Sequence, residues 1–301
     1  EVGCEKEQKM NRTLLVINPA SGGGKGKKIG AQTAELLHNR NLKFHQILED
    51  SAAATKDSIN TELNKGDIEL VILVGGDGAV HLTIQKLALS KIPLVVIPAG
   101  TGNDFVRAQK LPLNSPDEIL NYSFSRPAEA VDLGIAGGEY FADVLSTGFD
   151  SIVNERANRI TLIRGRMKYN VAIALELPIF KPRFYRFTVD GEPLESEAML
   201  IAVANGSSYG GGMQVCPEAS ITDGLFDVMI LAPVSKIEFL KVFPKVFSGK
   251  HITHPAVTIR RCREITIEAD AIAYSDGERV GPLPITAKVV PKALLTWHRN
   301  L

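Results

Sequence analysis

The sequence predicts a parallel α/β domain followed by a mainly antiparallel β domain, on three observations. Residues 69–78, ELVILVGGDG, are an unbroken aliphatic run of strand length that ends in two glycines, an aspartate and a third glycine. A run without alternation belongs to a parallel strand covered on both faces. Strand-length and helix-length segments alternate from residue 12 to residue 122 with short connections, the grammar of a parallel sheet with helices on both faces. Beyond about residue 126 the apolar segments shorten, alternate and are separated by Asp-Gly dipeptides, which is antiparallel chemistry.

Two compact domains are expected from a length of 301 residues: 11–129 and 130–289, with residues 290–301 returning to the first. Lys plus Arg and Asp plus Glu are 34 each, so no global field points to nucleic acid. Cys4, Cys216 and Cys262 are widely spaced without a CxxC, which suggests neither a disulfide framework nor a zinc site and fits a reducing compartment. No apolar run is long enough to span a bilayer and the N-terminus is charged rather than signal-like, so a cytoplasmic location is expected. Met10 precedes the first strand, and residues 1–9 are left out of the fold.

In chain order, strands are expected at 12–17, 43–48, 69–74 and 93–97, with helices to about residue 40, at 52–63 and at 79–89. A short helix through Arg107 and another from Pro116 to about Tyr122 follow. In the second domain strands are expected at 184–189, 199–204, 225–231, 257–259 and 265–267, interrupted by two helices. The first covers about 164–177; the second starts at Ser235, with Glu238 three residues later as a capping box, and runs towards Gly249.

Three glycine-bearing loops follow strands of the first domain and converge on one sheet edge. In the first, Asn18, Pro19, Ala20, Ser21 and Gly22 lead through Gly23 and Gly24 to Lys25; it has neither Walker nor dinucleotide spacing, and alone it reads as a flexible connector. In the second, Gly75 and Gly76 let a polyanion approach the backbone amides, Asp77 can bind a metal-bridged phosphate or hold the loop, and Gly78 opens a helix whose N-terminus favours negative charge. A tight turn is the plainer reading of that tetrapeptide. The third, residues 98–104, offers Gly100, Thr101, Gly102 and an Asn-Asp pair.

NPASG at 18–22, GGDG at 75–78, PAGTGNDFVR at 98–107, VDLG at 131–134, SITDGLFDV at 220–228, GKHITHP at 249–255 and SDGE at 275–278 run in the same order in a known family. With these stretches the chain resembles the soluble bacterial diacylglycerol kinases and the broader diacylglycerol and sphingosine kinase catalytic domain. GGDG alone is shared with NAD kinases and phosphofructokinases. The resemblance implies a Rossmann-like nucleotide domain of the NAD kinase/phosphofructokinase type, a C-terminal β-sandwich, and a cleft between them that transfers the γ-phosphate of ATP, with Mg2+, to a lipid hydroxyl in phospholipid synthesis, first of all that of diacylglycerol. Asn18, Pro19, Ala20, Ser21, Gly22, Gly75, Gly76, Asp77, Gly78, Ala79, His81, Gly100 and Thr101 would line the nucleotide. Asp77, Asp104 and Asp132 would form the carboxylate network that works with its magnesium, Asp276 would be the base, and Glu278 would lie beside it. A structural magnesium would be held by Asp223 with the carbonyls of Ser220 and Leu225. The implied partners are a lipid at a membrane surface, met by transient association with the inner face of the membrane, and a homodimer is left open. Phosphoryl transfer asks mainly for positioning and charge compensation, which glycine-loop amides and carboxylates supply.

The chain departs from the family where relatives carry Thr, Asn and Glu and it has Ala79, His81 and Leu82; Asp143 stands where many relatives carry Asn. His81 reads either as an imidazolium for phosphate or as a residue merely at a helix start. These departures keep two other readings in view, a weakly catalytic nucleotide- or lipid-binding regulator and an NAD kinase-like enzyme. His251 and His254 lack accompanying ligands and are given no metal role, and Cys216 and Cys262 read as small core residues. Residues 235–250 interleave Phe239, Phe243 and Phe247 with four lysines, a pattern that suits a lipid surface but more often packs its aromatics inward.

Overall fold

The computed structural model describes residues 12–160 and 166–299; Cys4, Met10 and the start of the helix expected from residue 164 lie outside the described residues. The first part of the chain runs β1 (Arg12–Ile17), α1 (Ser21–Asn39), β2 (Phe44–Leu48), α2 (Ala52–Leu63), β3 (Ile68–Gly75), α3 (Asp77–Leu87), β4 (Leu94–Pro98), α4 (Asp104–Ala108) and α5 (Pro116–Phe124). Its four strands form a parallel sheet in the order β2-β1-β3-β4. Val71, Ile72, Leu73 and Val74 are all fully buried although successive residues of a strand face opposite ways, so both faces are covered. Helix α2 begins on Ser51, whose hydroxyl accepts the Ala54 N–H, and α5 begins on Ser115 in the same way with proline in its first turn. Helix α3 starts two residues earlier than expected and ends at Leu87, because Leu89 has a positive φ of 61°.

The second part comprises β5 (Glu129–Ala136), β6 (Glu139–Phe141), β7 (Val144–Gly148), α6 (Phe149–Arg159), α7 (Arg166–Glu176), β8 (Arg183–Val189), β9 (Glu192–Ala198), β10 (Leu200–Ala204), β11 (Phe226–Leu231), α8 (Lys236–Val242), β12 (Val257–Cys262), β13 (Glu264–Glu268), β14 (Ile272–Ser275), β15 (Glu278–Pro282) and β16 (Ile285–Thr296). Two six-stranded sheets result, ordered β12-β11-β10-β7-β14-β15 and β6-β5-β16-β13-β8-β9, and every resolved pairing within them is antiparallel. Between them lies an apolar core around Phe141, Tyr185, Phe226 and Ile265. Asp190-Gly191 and Asp276-Gly277 both make two-residue hairpins with positive φ at each position, as the dipeptides suggested. Asp223-Gly224 does not: it lies in the long connection before β11.

Two further expectations change. A helix, α6, stands where none was expected, since its sequence is polar overall and only Phe149, Ser151, Val153 and Ala157 are buried. The helix expected to run from Ser235 to Gly249 is α only as far as Val242. Ser235 does accept the Glu238 N–H, but Pro244 lacks the donor needed to continue, and residues Phe243–Ser248 wind on as a 3₁₀ turn closed by Gly249 at φ 69°. The last strand joins the two cores. Ala293, Leu294 and Trp297 pack with the first sheet, the Leu89 N–H donates to Ala293 O at 2.6 Å, and the Thr296 hydroxyl donates to Leu94 O at 2.6 Å. No helix among the described residues is long and apolar enough to cross a membrane.

Candidate active site

The carboxyl ends of β1, β3 and β4 bring the three glycine loops side by side: the Asn18 N–H donates to Val74 O at 2.9 Å and the Ala99 N–H to Gly75 O at 2.8 Å. The contact between loops is what requires glycine. A Cβ at Gly76 would lie 2.8 Å from Gly100 Cα, and one at Gly22 would lie 2.2 Å from Ala99 O. Gly22, Gly23 and Gly24 are consecutively left-handed, and space beside Gly23 and Gly24 is open. Asn18 Oδ1 accepts the Ala20 N–H at 3.1 Å and sets the entry to this turn through Pro19 and Ser21. Gly78 is exposed at the start of α3, Ala79 packs under Gly75, and Thr101 is exposed on the wall of the cavity described below. These donors and open glycines fit the phosphates of a nucleotide.

Four carboxyls gather beside the loops, and backbone amides hold three of them. Asp77 accepts the N–H groups of Asn103 at 2.9 Å and Asp104 at 2.7 Å, locking the third loop to the second. Asp104, buried, accepts from Gly211 and Gly212 at 2.7 Å each and from the Ser208 hydroxyl at 3.1 Å, which ties the first sheet to the connection after β10. Asp276, in the β14–β15 turn, accepts from Ala142 at 2.7 Å, Asp143 at 2.9 Å and Val144 at 3.2 Å. Asp143 completes the group: it is buried and its Oδ1 has no partner. Sequence reasoning did not place Asp143 in the site; its replacement of the usual Asn was the available signal. Asp132, expected in the same network, stands apart. Its oxygens accept the N–H groups of Gly224 at 2.7 Å and Lys292 at 2.8 Å, so it organises the β domain instead.

Burial and then repulsion from Asp104 push the Asp77 carboxyl up to about 6, against the pull of the Asp104 and Asn103 amides. Asp143 is raised as well, by burial and then by Asp276, Asp104 and Asp77. A cation would relieve this crowding, so the cluster fits a divalent ion. No three acidic or imidazole groups among the described residues converge closely enough to hold a metal by themselves, and the remaining ligands would be nucleotide phosphate and water. His81 corrects an expectation. Instead of facing the glycine loops it is buried with Nδ1 3.6 Å from Asp276 Oδ2 and Nε2 3.6 Å from Glu139 Oε2. Burial works to lower its pKa, but Asp276, Glu278 and Glu139 outweigh it and the imidazole is raised. Glu278 is exposed at the start of β15 and reaches towards Gly78.

Of the ligand set expected for a structural magnesium, the structure shows the carboxylate already engaged. Asp223 Oδ1 accepts the Leu225 N–H at 3.0 Å, Oδ2 is paired with the Arg261 guanidinium, and the Ser220 hydroxyl meets Thr222 at 3.1 Å. A cation already compensates the carboxylate.

A cavity of about 670 Å³ is walled on one side by Asp77, Asp104, Asp143 and Asp276 and elsewhere by apolar side chains of α6, α7, β11 and α8, among them Phe149, Ile173, Met229 and Phe239. Within it Asp150 forms a polar island: the Ser146 hydroxyl donates to its Oδ2 at 2.5 Å, and burial raises its carboxyl. Phe239 packs edge-on against Phe149 at 5.1 Å, while Phe243 and Phe247 line the cavity rather than a lipid-facing surface alone. Cys216 and Cys262 are buried and free, as expected.

Residues 12–136 match the family model described as diacylglycerol kinase catalytic domain, and residues 143–297 that described as YegS C-terminal NAD kinase beta sandwich-like domain. A diacylglycerol kinase of Mycobacterium tuberculosis (strain ATCC 25618 / H37Rv) is 34% identical over 299 residues, covering 97% of this chain and 96% of its own. One of Bacillus subtilis (strain 168) is 30% identical over 290 residues, covering 91% and 92%. The crystal structure of a diacylglycerol kinase from Bacillus anthracis str. Sterne superimposes with a TM-score of 0.71 at 20% identity over 96% of this chain and 97% of that one. A second structure from that organism reaches a TM-score of 0.79 at 22% identity over 99% of both chains.

Proposed function

As the chain belongs to the diacylglycerol kinase family of lipid kinases, we propose that it transfers the γ-phosphate of magnesium-ATP to the hydroxyl of a glycerolipid, diacylglycerol first, giving phosphatidic acid. The observation that carries this reading is the continuity of the cavity: the carboxylates beside the glycine loops and an apolar chamber sized for acyl chain line one and the same cavity. The turn at Gly22–Gly24 and the start of α3 would hold the phosphates through backbone amides. Magnesium would be held from the side of Asp77, Asp104 and Asp143, and when bound it would supply charge compensation to the phosphate oxygens.

Asp276 is the proposed base. A carboxylate has about four lone-pair positions, and three are taken by the amides of Ala142, Asp143 and Val144. Those amides fix the orientation of the carboxylate. His81 stands behind Asp276, its Nδ1 3.6 Å from Oδ2, and the carboxylates around it raise the imidazole. The acceptor is tested by supplying radiolabelled ATP with diacylglycerol, monoacylglycerol, ceramide, sphingosine and phosphatidylglycerol in mixed micelles. Labelled phosphatidic acid as the main product is expected; label only in ceramide or sphingosine products would overturn the glycerolipid assignment.

A further inference from the structure

The apolar chamber has one polar wall. Asp150, Asn154 and Asn158 recur every fourth residue along α6 and all line the cavity, a spacing that sets them on one stripe of the helix. Phe149 and Val153, each one residue earlier, pack into the neighbouring apolar cluster. Asp150 is the centre of a hydrogen-bonded group: the Ser146 hydroxyl donates to its Oδ2 at 2.5 Å, the Asn154 amide donates to the same oxygen at 3.3 Å, and the Tyr209 hydroxyl also donates to the carboxyl. A leucine at 150 would serve a purely hydrocarbon occupant better, because burying a carboxyl costs free energy that only its partners offset.

The neighbours of Asp150 also say what kind of ligand atom is missing. All three are donors to it. Burial raises the carboxyl against the pull of Ser146 and Tyr209, so it holds its proton to higher pH than an ordinary aspartate. A protonated carboxyl has one O–H to give and needs an acceptor for it. The place of the group along β7 fits an acceptor on the lipid. Val144 and Ser146 are two residues apart, face the same side of the strand and both line the cavity, and the Val144 N–H donates to Asp276 Oδ1. Two residues of strand are about 7 Å, a separation that a glycerol backbone with its first ester group can bridge.

We propose that Asp150, held by Ser146, Asn154 and Tyr209, donates a hydrogen bond to an acyl-ester carbonyl of the acceptor, which selects ester-linked glycerolipids and sets the reacting hydroxyl at Asp276. The proposal rests on the lipid kinase reading of the site. It is tested with diacylglycerol and the dialkylglycerol of the same chain length, which lacks both carbonyls, in the same mixed micelles. Wild-type kcat/KM should favour the diester by roughly tenfold or more, the consequence of leaving a buried donor unpaired. Asp150→Asn still accepts from Ser146 through its oxygen and donates through its nitrogen, so it should keep that ratio within about threefold. Asp150→Leu has no donor and Asp150→Ser is too short to reach; both should bring the ratio to within about twofold of unity by slowing the diester alone. Leucine and serine variants that slow both lipids together and keep the wild-type ratio would overturn the proposal, since Asp150 would then only hold α6 to β7. So would a wild-type chain that treats the two lipids alike. Displacement of a bound fluorescent diacylglycerol by each lipid gives the same ratios without turnover. Displacement ratios that follow the expected pattern in a chain phosphorylating neither lipid would sustain the carbonyl contact and overturn the proposed reaction; displacement by neither lipid would overturn both.

Discussion

Asp104→Asn offers a quantitative test of how the two halves of the site are held together. The side chain is 2% exposed and accepts from Gly211, Gly212 and Ser208 across the cleft. Asparagine keeps the volume and removes the charge. Whichever oxygen the amide nitrogen replaces, a backbone N–H that pointed at a carboxylate oxygen then points at a donor. A hydrogen bond to a charged group contributes about 1.5–3 kcal/mol, and setting a donor against a buried donor costs about 1–3 kcal/mol more. Part is returned, because Asp104 raises Asp77 and Asp143 and its neutralisation relieves both. The net loss should be about 2–3 kcal/mol, a fall in Tm of roughly 3–5 °C for a chain of this size. Differential scanning calorimetry reads it, with Ser208→Ala, which removes one donor to the carboxylate, as the control at about 1.5 kcal/mol. The double mutant should be less than additive, since both variants remove the same contact. A Tm within about 1 °C of wild type for Asp104→Asn would mean that these bonds do not hold the loop.

His81 has its pKa raised, against its burial, by Asp276, Glu278 and Glu139, so it contributes stability that is complete below about pH 6.5 and lost as pH rises through the folded value. His81→Asn should therefore destabilise more at pH 6 than at pH 9, and a Tm gap independent of pH would contradict the charge pairing. Gly76→Ala places a methyl 2.8 Å from Gly100 Cα, so the second and third loops must part; calorimetric titration should show weakened magnesium-ATP binding, and unchanged affinity would remove the loop contact from the site. Magnesium without nucleotide should leave the wild-type Tm unmoved, because Arg261 already neutralises Asp223; a rise abolished in Asp223→Ala would place an ion there after all.

The strands of the first sheet and the convergence of its loops could be read from sequence because each rests on a local signal: aliphatic runs such as 69–74, then glycines. The hairpins at Asp190-Gly191 and Asp276-Gly277 were equally local. Other features depend on partners far along the chain. Asp77, Asp104 and Asp132 look alike in a motif, yet Asp132 meets Gly224 and Lys292 while Asp104 meets Gly211 and Gly212, and only the folded chain separates their duties. His81 could not be assigned because its orientation is set by β6 and the β14–β15 turn, 58 or more residues away. Asp143 carried a signal in its departure from Asn, but no neighbour in sequence announces three facing carboxyls. Helix α6 escaped notice because tertiary burial of four residues, rather than apolar content, defines it.

The central claim is that Asp276 takes the proton of the lipid hydroxyl, and Asp276→Asn tests it most directly. Pre-steady-state and steady-state rates on diacylglycerol should show kcat lower by about 10²–10⁴-fold, the usual contribution of a positioned base. Magnesium-ATP affinity measured by titration should stay within about twofold, because Asp276 belongs to the β14–β15 turn and not to the glycine loops. Turnover near the wild-type rate would contradict the account and move the search for the base to Glu278.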